Sequence, residues 1–387
     1  MAVIDIPQPE FMEDEEISIF ADAVGKFYQQ HAPEKRVLKW REEGQVERGF
    51  WNEAGQAGLL GVSVPEEYGG HGGDFRHDMV VIDQQAKHGV EGFAASLHNT
   101  VILPYLVRHG TEEQKKKYLP KLVTGELVSA IAMTEPGVGS DLQSITTTAL
   151  KDGNGYKING AKTYISNGQT ADFIIVVAKT DPNERAKGIS LMLLETEGAD
   201  GFQRGKKLDK IGLDAADTSE LFFDDVFVPA ENVLGGVEGR GFYQLMGELP
   251  QERLIIAMGA MTGIEKALET TMEFVKDRKA FGQTIWDFQN TQFVMADLKA
   301  RGTAARVFVN DCIARHLKGE LDVATACMAK YWVTELQGEV VDKCLQFHGG
   351  AGFINDYPIA RMYRDSRITR IFGGSNEVMK MVIARSM

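Results

Sequence analysis

Three long stretches of helical apolar spacing near the C-terminus limit the fold of this chain more than any other feature. Over residues 250–276, Leu254, Met258, Met261, Ile264, Leu268, Thr271 and Val275 fall three or four apart, the period of one helix face. At 1.5 Å per residue such a helix runs about 40 Å. Residues 287–317 and 321–347 repeat the pattern, and a shorter helix follows Asn376. Long helices with short connections bury their stripes as an antiparallel four-helix bundle. The first of them opens with ELPQERLIIAMGAM, 248–261. Pro at the first helical position and a carboxylate in the first turn suit a helix N-terminus. On that reading Glu252 is an ordinary first-turn residue, and only other parts of the chain can make it a chemical group.

Upstream the texture differs. Residues 1–130 read as helical through FADAVGKFY, VVIDQQAKHGV and EEQKKKYLPKLVTGE, with a glycine-rich loop, VPEEYGGHGGDF, at 64–75. Residues 131–240 are rich in short β-branched runs: FIIVVAKT, GISLMLLET and SELFFDDVFVP. Within YKINGAKTYISNG the alternation turns about Asn159-Gly160, which predicts a two-residue hairpin there. The chain of 387 residues is too long for one compact core. The expected organisation is α+β: an N-terminal helical domain over 1–130, a middle β-domain over 131–240 and a C-terminal helical bundle over 241–387.

Charge and composition exclude several functions. A net charge of −13 speaks against nucleic-acid binding, which rests on Lys and Arg. No apolar run spans a bilayer, so membrane insertion is not expected. The acidic start MAVIDIPQPEFMEDEE lacks a basic-then-apolar leader pattern, which makes the cytoplasm the default. Cys312, Cys327 and Cys344 are too scattered for a disulfide framework, and the histidines form no ligand pair, so no metal is expected. Gly137-Val138-Gly139 and Gly350-Ala351-Gly352 do not continue as G-x-G-x-x-G, and G-x-S-x-G is absent.

Two glycine clusters remain, MTEPGVGSDLQS at 133–144 and QFHGGAGFINDYPIARMYRD at 346–365. Small residues let backbone N–H groups, with the hydroxyls of Thr134 and Ser140, approach a planar or phosphorylated ligand. MTEPGVGSD, then KTYISNG, then RKAFGQ at 278–283, then the second cluster, occur in an order and spacing that resemble the acyl-CoA dehydrogenase family from Phe50 to the C-terminus. GFYQLMGELPQERLIIA and ATACMAKYW are most similar to its long-chain members. Val138 departs from the smaller residue usual in the first motif.

The resemblance implies an FAD enzyme that converts an acyl-CoA thioester to the trans-2-enoyl-CoA, with hydride passing to flavin N5. It implies that Met133, Thr134, Gly139, Ser140, Tyr164 and Ser166 line the flavin. Arg278, Phe281, Gln289, Gln346, Gly349 and Gly350 would reach the FAD of a neighbouring subunit, and Ser375 and Glu377 also contact cofactor. Ser140, Arg253, Phe372 and Gly373 would touch substrate, with a salt-bridged helix residue as the alternative reading of Arg253. A homo-oligomer, normally a tetramer, and electron-transfer flavoprotein as acceptor are implied too.

The reaction needs a carboxylate to take the weakly acidic α-proton. Many family members carry it in a stretch resembling I-Y-E-G-T, but here the sequence is Ile371-Phe372-Gly373-Gly374-Ser375. Long-chain and isovaleryl members share this vacancy and seat the base at the head of the first bundle helix. The matching position is Glu252, which becomes the expected base. Gly373 keeps its N–H as a donor to the thioester carbonyl. An acyl-CoA oxidase or a group D flavin monooxygenase on the same fold is the alternative. Acyl-chain length stays open, with the cavity floor expected around Phe93-Ala94-Ala95.

Overall fold

The computed structural model describes residues 2–387. Six helices come first: α1 (Glu15–His31), α2 (Glu34–Glu43), α3 (Arg48–Gln56), α4 (Phe75–Lys87), α5 (Leu103–His109) and α6 (Glu112–Val123). Side chains close their N-termini: Asp14 accepts from the Glu16 N–H, and Asp74–His77 and Thr111–Gln114 form reciprocal capping boxes. A π-helical turn over Leu97–Ile102 runs straight into α5. Phe93 packs edge-on to Phe50 and Trp51 at 4.8 and 4.7 Å between ring centroids. Its ring is therefore spent in the core of the N-terminal helices.

The middle of the chain is one sheet of seven strands: β1 (Ser129–Ala132), β2 (Thr148–Asp152), β3 (Gly155–Ser166), β4 (Phe173–Lys179), β5 (Ile189–Glu195), β6 (Phe202–Lys207) and β7 (Thr218–Pro229). Their order is β1-β4-β2-β3-β7-β6, with β5 paired to β4. The hairpin expected at Asn159-Gly160 is not there. β3 runs through it unbroken, and the turn lies six residues earlier at Gly153-Asn154, where Asp152 pairs with Gly155. Gly160 instead sits at φ +150° beside a register shift against β7, and a Cβ on it would come within 2.5 Å of the Thr147 hydroxyl. That glycine serves a close approach of two backbones, not a turn.

The chain then returns to helix: α7 (Gly241–Asp277), α8 (Gln289–Leu317), α9 (Val323–His348), α10 (Pro358–Ser366) and α11 (Asn376–Ala384). A two-stranded ribbon, β8 (Lys279–Ala280) and β9 (Gln283–Thr284), joins α7 to α8. Cys312, Cys327 and Cys344 are all buried in α8 and α9. The head of α7 corrects the sequence reading: the helix has 37 residues and begins at Gly241, so Pro250 and Glu252 lie inside it. Pro250 has no N–H to give the Met246 carbonyl, ordinarily a cost of about 3 kcal/mol. Packing of the extra turns offsets this, since Leu245 is buried and Gly241 lies hard against the backbone of Ser190 on β5. Among the described residues, no helix is long and apolar enough to cross a membrane.

Candidate active site

Mid-helix placement takes Glu252 out of solvent. It is only 8% exposed, and Oε1 accepts one hydrogen bond, 2.8 Å from the hydroxyl of buried Tyr105 on α5. Burial pushes its carboxyl up to about 7, against the pull of the Tyr105 hydroxyl; Glu248 one turn earlier adds to the rise and Arg253 opposes it. The phenol of Tyr105 is held well above its usual range, mainly by burial.

Side chains around Glu252 tie α7 to the N-terminal helices. Glu248 is bound by Arg108 and by His109 Nε2, the latter at 3.0 Å. Arg108 also donates to Gln251 Oε1 at 2.7 Å, and Gln251 Nε2 donates to the Thr100 carbonyl at 2.7 Å. Pro104, four residues after Thr100, has no N–H for that carbonyl. The Gln251 amide fills the gap, so the irregular entry to α5 is stitched to the helix that carries Glu252.

The loop after α10 closes on the same face. Gly373 lies at φ +63°, and a Cβ there would sit 2.3 Å from Ile256 Cδ1, one turn beyond Glu252. Gly374 follows at φ +93°, with its carbonyl accepting from Lys330 Nζ at 2.8 Å. Lys330, on α9, also donates to Asn376 at 2.9 Å and is wholly buried. Phe372 is exposed at the edge of this loop. Arg253 is buried but forms no ion pair among the described residues, and its Nε has no partner. Its guanidinium lies close enough to Cys327 and Lys330 on α9 to act on both electrostatically. The alternative reading of Arg253, a salt-bridged helix residue, is therefore not met.

A second group gathers where β1 and β3 end. Met133 and Thr134 follow β1, Tyr164 and Ser166 close β3, and the Thr163 N–H donates to the Thr134 carbonyl at 2.9 Å. Gly139 and Ser140 are exposed in the adjoining loop, and neither Gly137 nor Gly139 has any atom within 4 Å of where a Cβ would lie. Tyr164 stands 68% exposed at φ +60°. An open glycine loop and a solvent-exposed aromatic ring on adjoining segments fit a planar, phosphorylated cofactor such as FAD.

Beneath the loop, Glu135 accepts from Thr146 N and Oγ1, from Thr147 N, and from Lys162 Nζ at 2.9 Å. Lys162 also donates to the Met133 carbonyl at 3.0 Å. Burial opposes the Glu135 charge, but Lys162 and the threonine donors outweigh it and hold the carboxyl near about 2.

The third group lies elsewhere. Arg278 and Phe281 sit at the ribbon after α7, Gln289 starts α8, Gln346 lies in the last turn of α9, and Gly349 and Gly350 open the short 3-10 turn after it. Phe281 is 96% exposed. Arg278 lies 26 positions beyond Glu252, at the far end of α7, about 39 Å along the helix at 1.5 Å per residue. One chain cannot bring this group to Glu252. Ser375 caps α11 by accepting from the Val378 N–H at 3.5 Å, and Glu377 follows in its first turn.

Sequence reading missed Tyr105, Gln251, Lys330 and the Glu135–Lys162 pair. Only Tyr105 left a trace: Pro104 inside a helical pattern marks an irregularity of the kind that collects at functional sites.

Comparison with known proteins identifies the family of the chain. The N-terminal, middle and C-terminal domains of acyl-CoA dehydrogenase match residues 14–126, 130–226 and 239–387. The long-chain specific acyl-CoA dehydrogenase, mitochondrial, of Sus scrofa is 46% identical over 96% of this chain and 86% of its own length. The isovaleryl-CoA dehydrogenase, mitochondrial, of Pongo abelii is 39% identical over 94% and 86%. The crystal structure of acyl-CoA dehydrogenase from Geobacillus kaustophilus superposes with a TM-score of 0.94 at 45% identity, covering 96% of this chain and 98% of that one. With all three zones matched in order and almost end to end, the chain belongs to the acyl-CoA dehydrogenase family.

Proposed function

We propose that Glu252 is the base of an FAD-dependent α,β-dehydrogenation in which an acyl-CoA thioester becomes the trans-2-enoyl-CoA. One observation carries the assignment: a buried carboxyl with a single hydrogen bond and a titration raised to about 7 lies on the helix face that Gly373 approaches. A base of that strength is partly ionised near neutrality and takes up an α-proton more readily than an exposed glutamate does. The Gly373 N–H donates to the thioester carbonyl, where negative charge develops as the α-proton leaves. Arg253, Phe372 and Ser140 complete the substrate contacts. FAD, when bound there, would supply the acceptor for the hydride leaving the β-carbon.

Met133, Thr134, Gly139, Ser140, Tyr164 and Ser166 hold that FAD, helped by Ser375 and Glu377. The remote group of Arg278, Phe281, Gln289, Gln346, Gly349 and Gly350 serves the FAD of a second copy in a homotetramer. Domain limits of 1–130, 131–240 and 241–387 accompany this reading. Long straight-chain thioesters are the proposed substrates, supported by the similarity to the long-chain enzyme, with branched chains next; a panel scored by kcat/KM decides. Electron-transfer flavoprotein is the proposed acceptor, and oxygen uptake without added acceptor would favour an oxidase instead. Cytoplasmic residence is tested by cell fractionation, against the mitochondrial names of the curated relatives.

Glu252→Gln keeps the shape of the side chain but accepts no proton. Substrate should still bind, while flavin reduction in a single turnover falls at least about 10²-fold. Near-normal reduction would assign the base elsewhere.

A further inference from the structure

We infer that Tyr105 is a positioning residue: its hydroxyl fixes Glu252 Oε1, leaving Oε2 as the oxygen that meets the substrate. This rests on Glu252 being the base. Three features converge on Tyr105. Its side chain is fully buried, so the hydroxyl has no water to compete for it. It donates to Glu252 across 147 positions of sequence at 2.8 Å, the only hydrogen bond that the carboxylate accepts among the described residues. It stands directly after the π-helical turn and Pro104, an irregularity secured by Gln251, the residue next to Glu252. One tether thus fixes the rotamer of the base and the placement of the phenol together.

Tyr105 keeps its own proton throughout. Its donor bond favours the charged carboxylate, opposing the burial that favours the neutral acid. It sets both the orientation of the base and the pH at which the base is ready.

The other charged groups around Glu252 are engaged elsewhere, except Arg253, which forms no ion pair among the described residues. On α7, Glu248 is held by Arg108 and His109 from α5. Arg253 is the neighbouring cation, and Lys330 on α9 is engaged with the Gly374 carbonyl and Asn376. The loop at 371–375 carries no charged side chain. None of these groups donates a hydrogen bond to Glu252.

The test uses the FAD-loaded enzyme with Tyr105→Phe and with 3-fluorotyrosine placed at position 105. Flavin reduction in single turnovers is followed against pH. In parallel, infrared difference spectroscopy titrates the carboxyl band that disappears in Glu252→Gln. Phe removes the donor, so both midpoints should move up by about one to two pH units, as expected for a lost hydrogen bond to a charged group. The rate above the midpoint should also fall about tenfold or more as the carboxylate loses its orientation. Fluorotyrosine is a stronger donor and should move both midpoints down. A structural role in packing would not produce shifts of opposite sign. Unmoved midpoints, with Glu252→Gln still abolishing reduction, would overturn the role of Tyr105 while leaving the base in place. A Glu252→Gln enzyme that reduces flavin normally would instead overturn the assignment of the base.

Discussion

Two buried glutamates in this molecule have opposite acidities. Glu135 and Glu252 are 4% and 8% exposed. Glu135 has donors from Thr146, Thr147 and Lys162, and its carboxyl is held near about 2. Glu252 has one phenol, and its carboxyl rises to about 7. Burial pushes both carboxyls up, more strongly at the deeper Glu252, and only at Glu135 do a lysine and several threonine donors overcome it. A carboxylate saturated with donors becomes a fixed anion that anchors a loop. One left nearly unpartnered retains an appetite for a proton.

The comparison breaks most directly at Lys162. Lys162→Met leaves Glu135 buried without its cation and releases the Met133 carbonyl. Loss of one member of a buried pair costs about 3–5 kcal/mol, and denaturant unfolding should register it. A loss below about 1 kcal/mol would mean that the threonine donors suffice alone.

At Glu252 the pH dependence of stability has the opposite sense. Its carboxyl rises from the ordinary 4.5 to about 7 on folding. Between those values the folded state binds more protons than the unfolded state, so stability falls as pH rises through the window. At 1.36 kcal/mol per unit the loss is about 3 kcal/mol by pH 8. Glu252→Gln should flatten that segment of the stability–pH curve and be more stable than the parent at pH 8. An unchanged slope between pH 4.5 and 7 would mean that Glu252 titrates normally.

The smallest expected effect sharpens the site itself. Glu252→Gly with Gly373→Glu moves the carboxylate from α7 to the loop after α10 and should partly restore flavin reduction over Glu252→Gly alone. A side chain at 373 must adopt φ +63° and displace Ile256. The left-handed backbone costs about 1–2 kcal/mol, and adding Ile256→Ala should raise the recovery. If folded, FAD-loaded double and triple variants reduce flavin no faster than the single one, the two positions do not face one α-carbon.

Much of the architecture was legible because it is periodic. The spacing from Leu254 to Val275 marked α7, and the change of texture near Ala130 marked the start of the sheet. Errors arose where one residue type serves two purposes. Asn159-Gly160 looked like a turn, yet Gly160 answers the crowding of Thr147, while Gly153-Asn154 makes the turn. Pro250 looked like a helix start because propensity is local, whereas the packing of Leu245 and Gly241 is not. Glu252, the proposed base, was singled out through the gap at Gly373. Its partner Tyr105 was illegible, since nothing in a linear pattern links positions 147 apart.

The stitching of α7 to Thr100, Arg108 and His109 carries a consequence for how such a catalyst fails. The N-terminal helices are what keep Glu252 dry, and dryness is what gives it a proton affinity near neutrality. If those helices lift away, water enters and the carboxyl returns toward the acidity of any surface glutamate. Its proton affinity is therefore a gauge of docking. Warming that loosens only this seam should silence the chemistry while every helix remains intact, so inactivation would run ahead of melting.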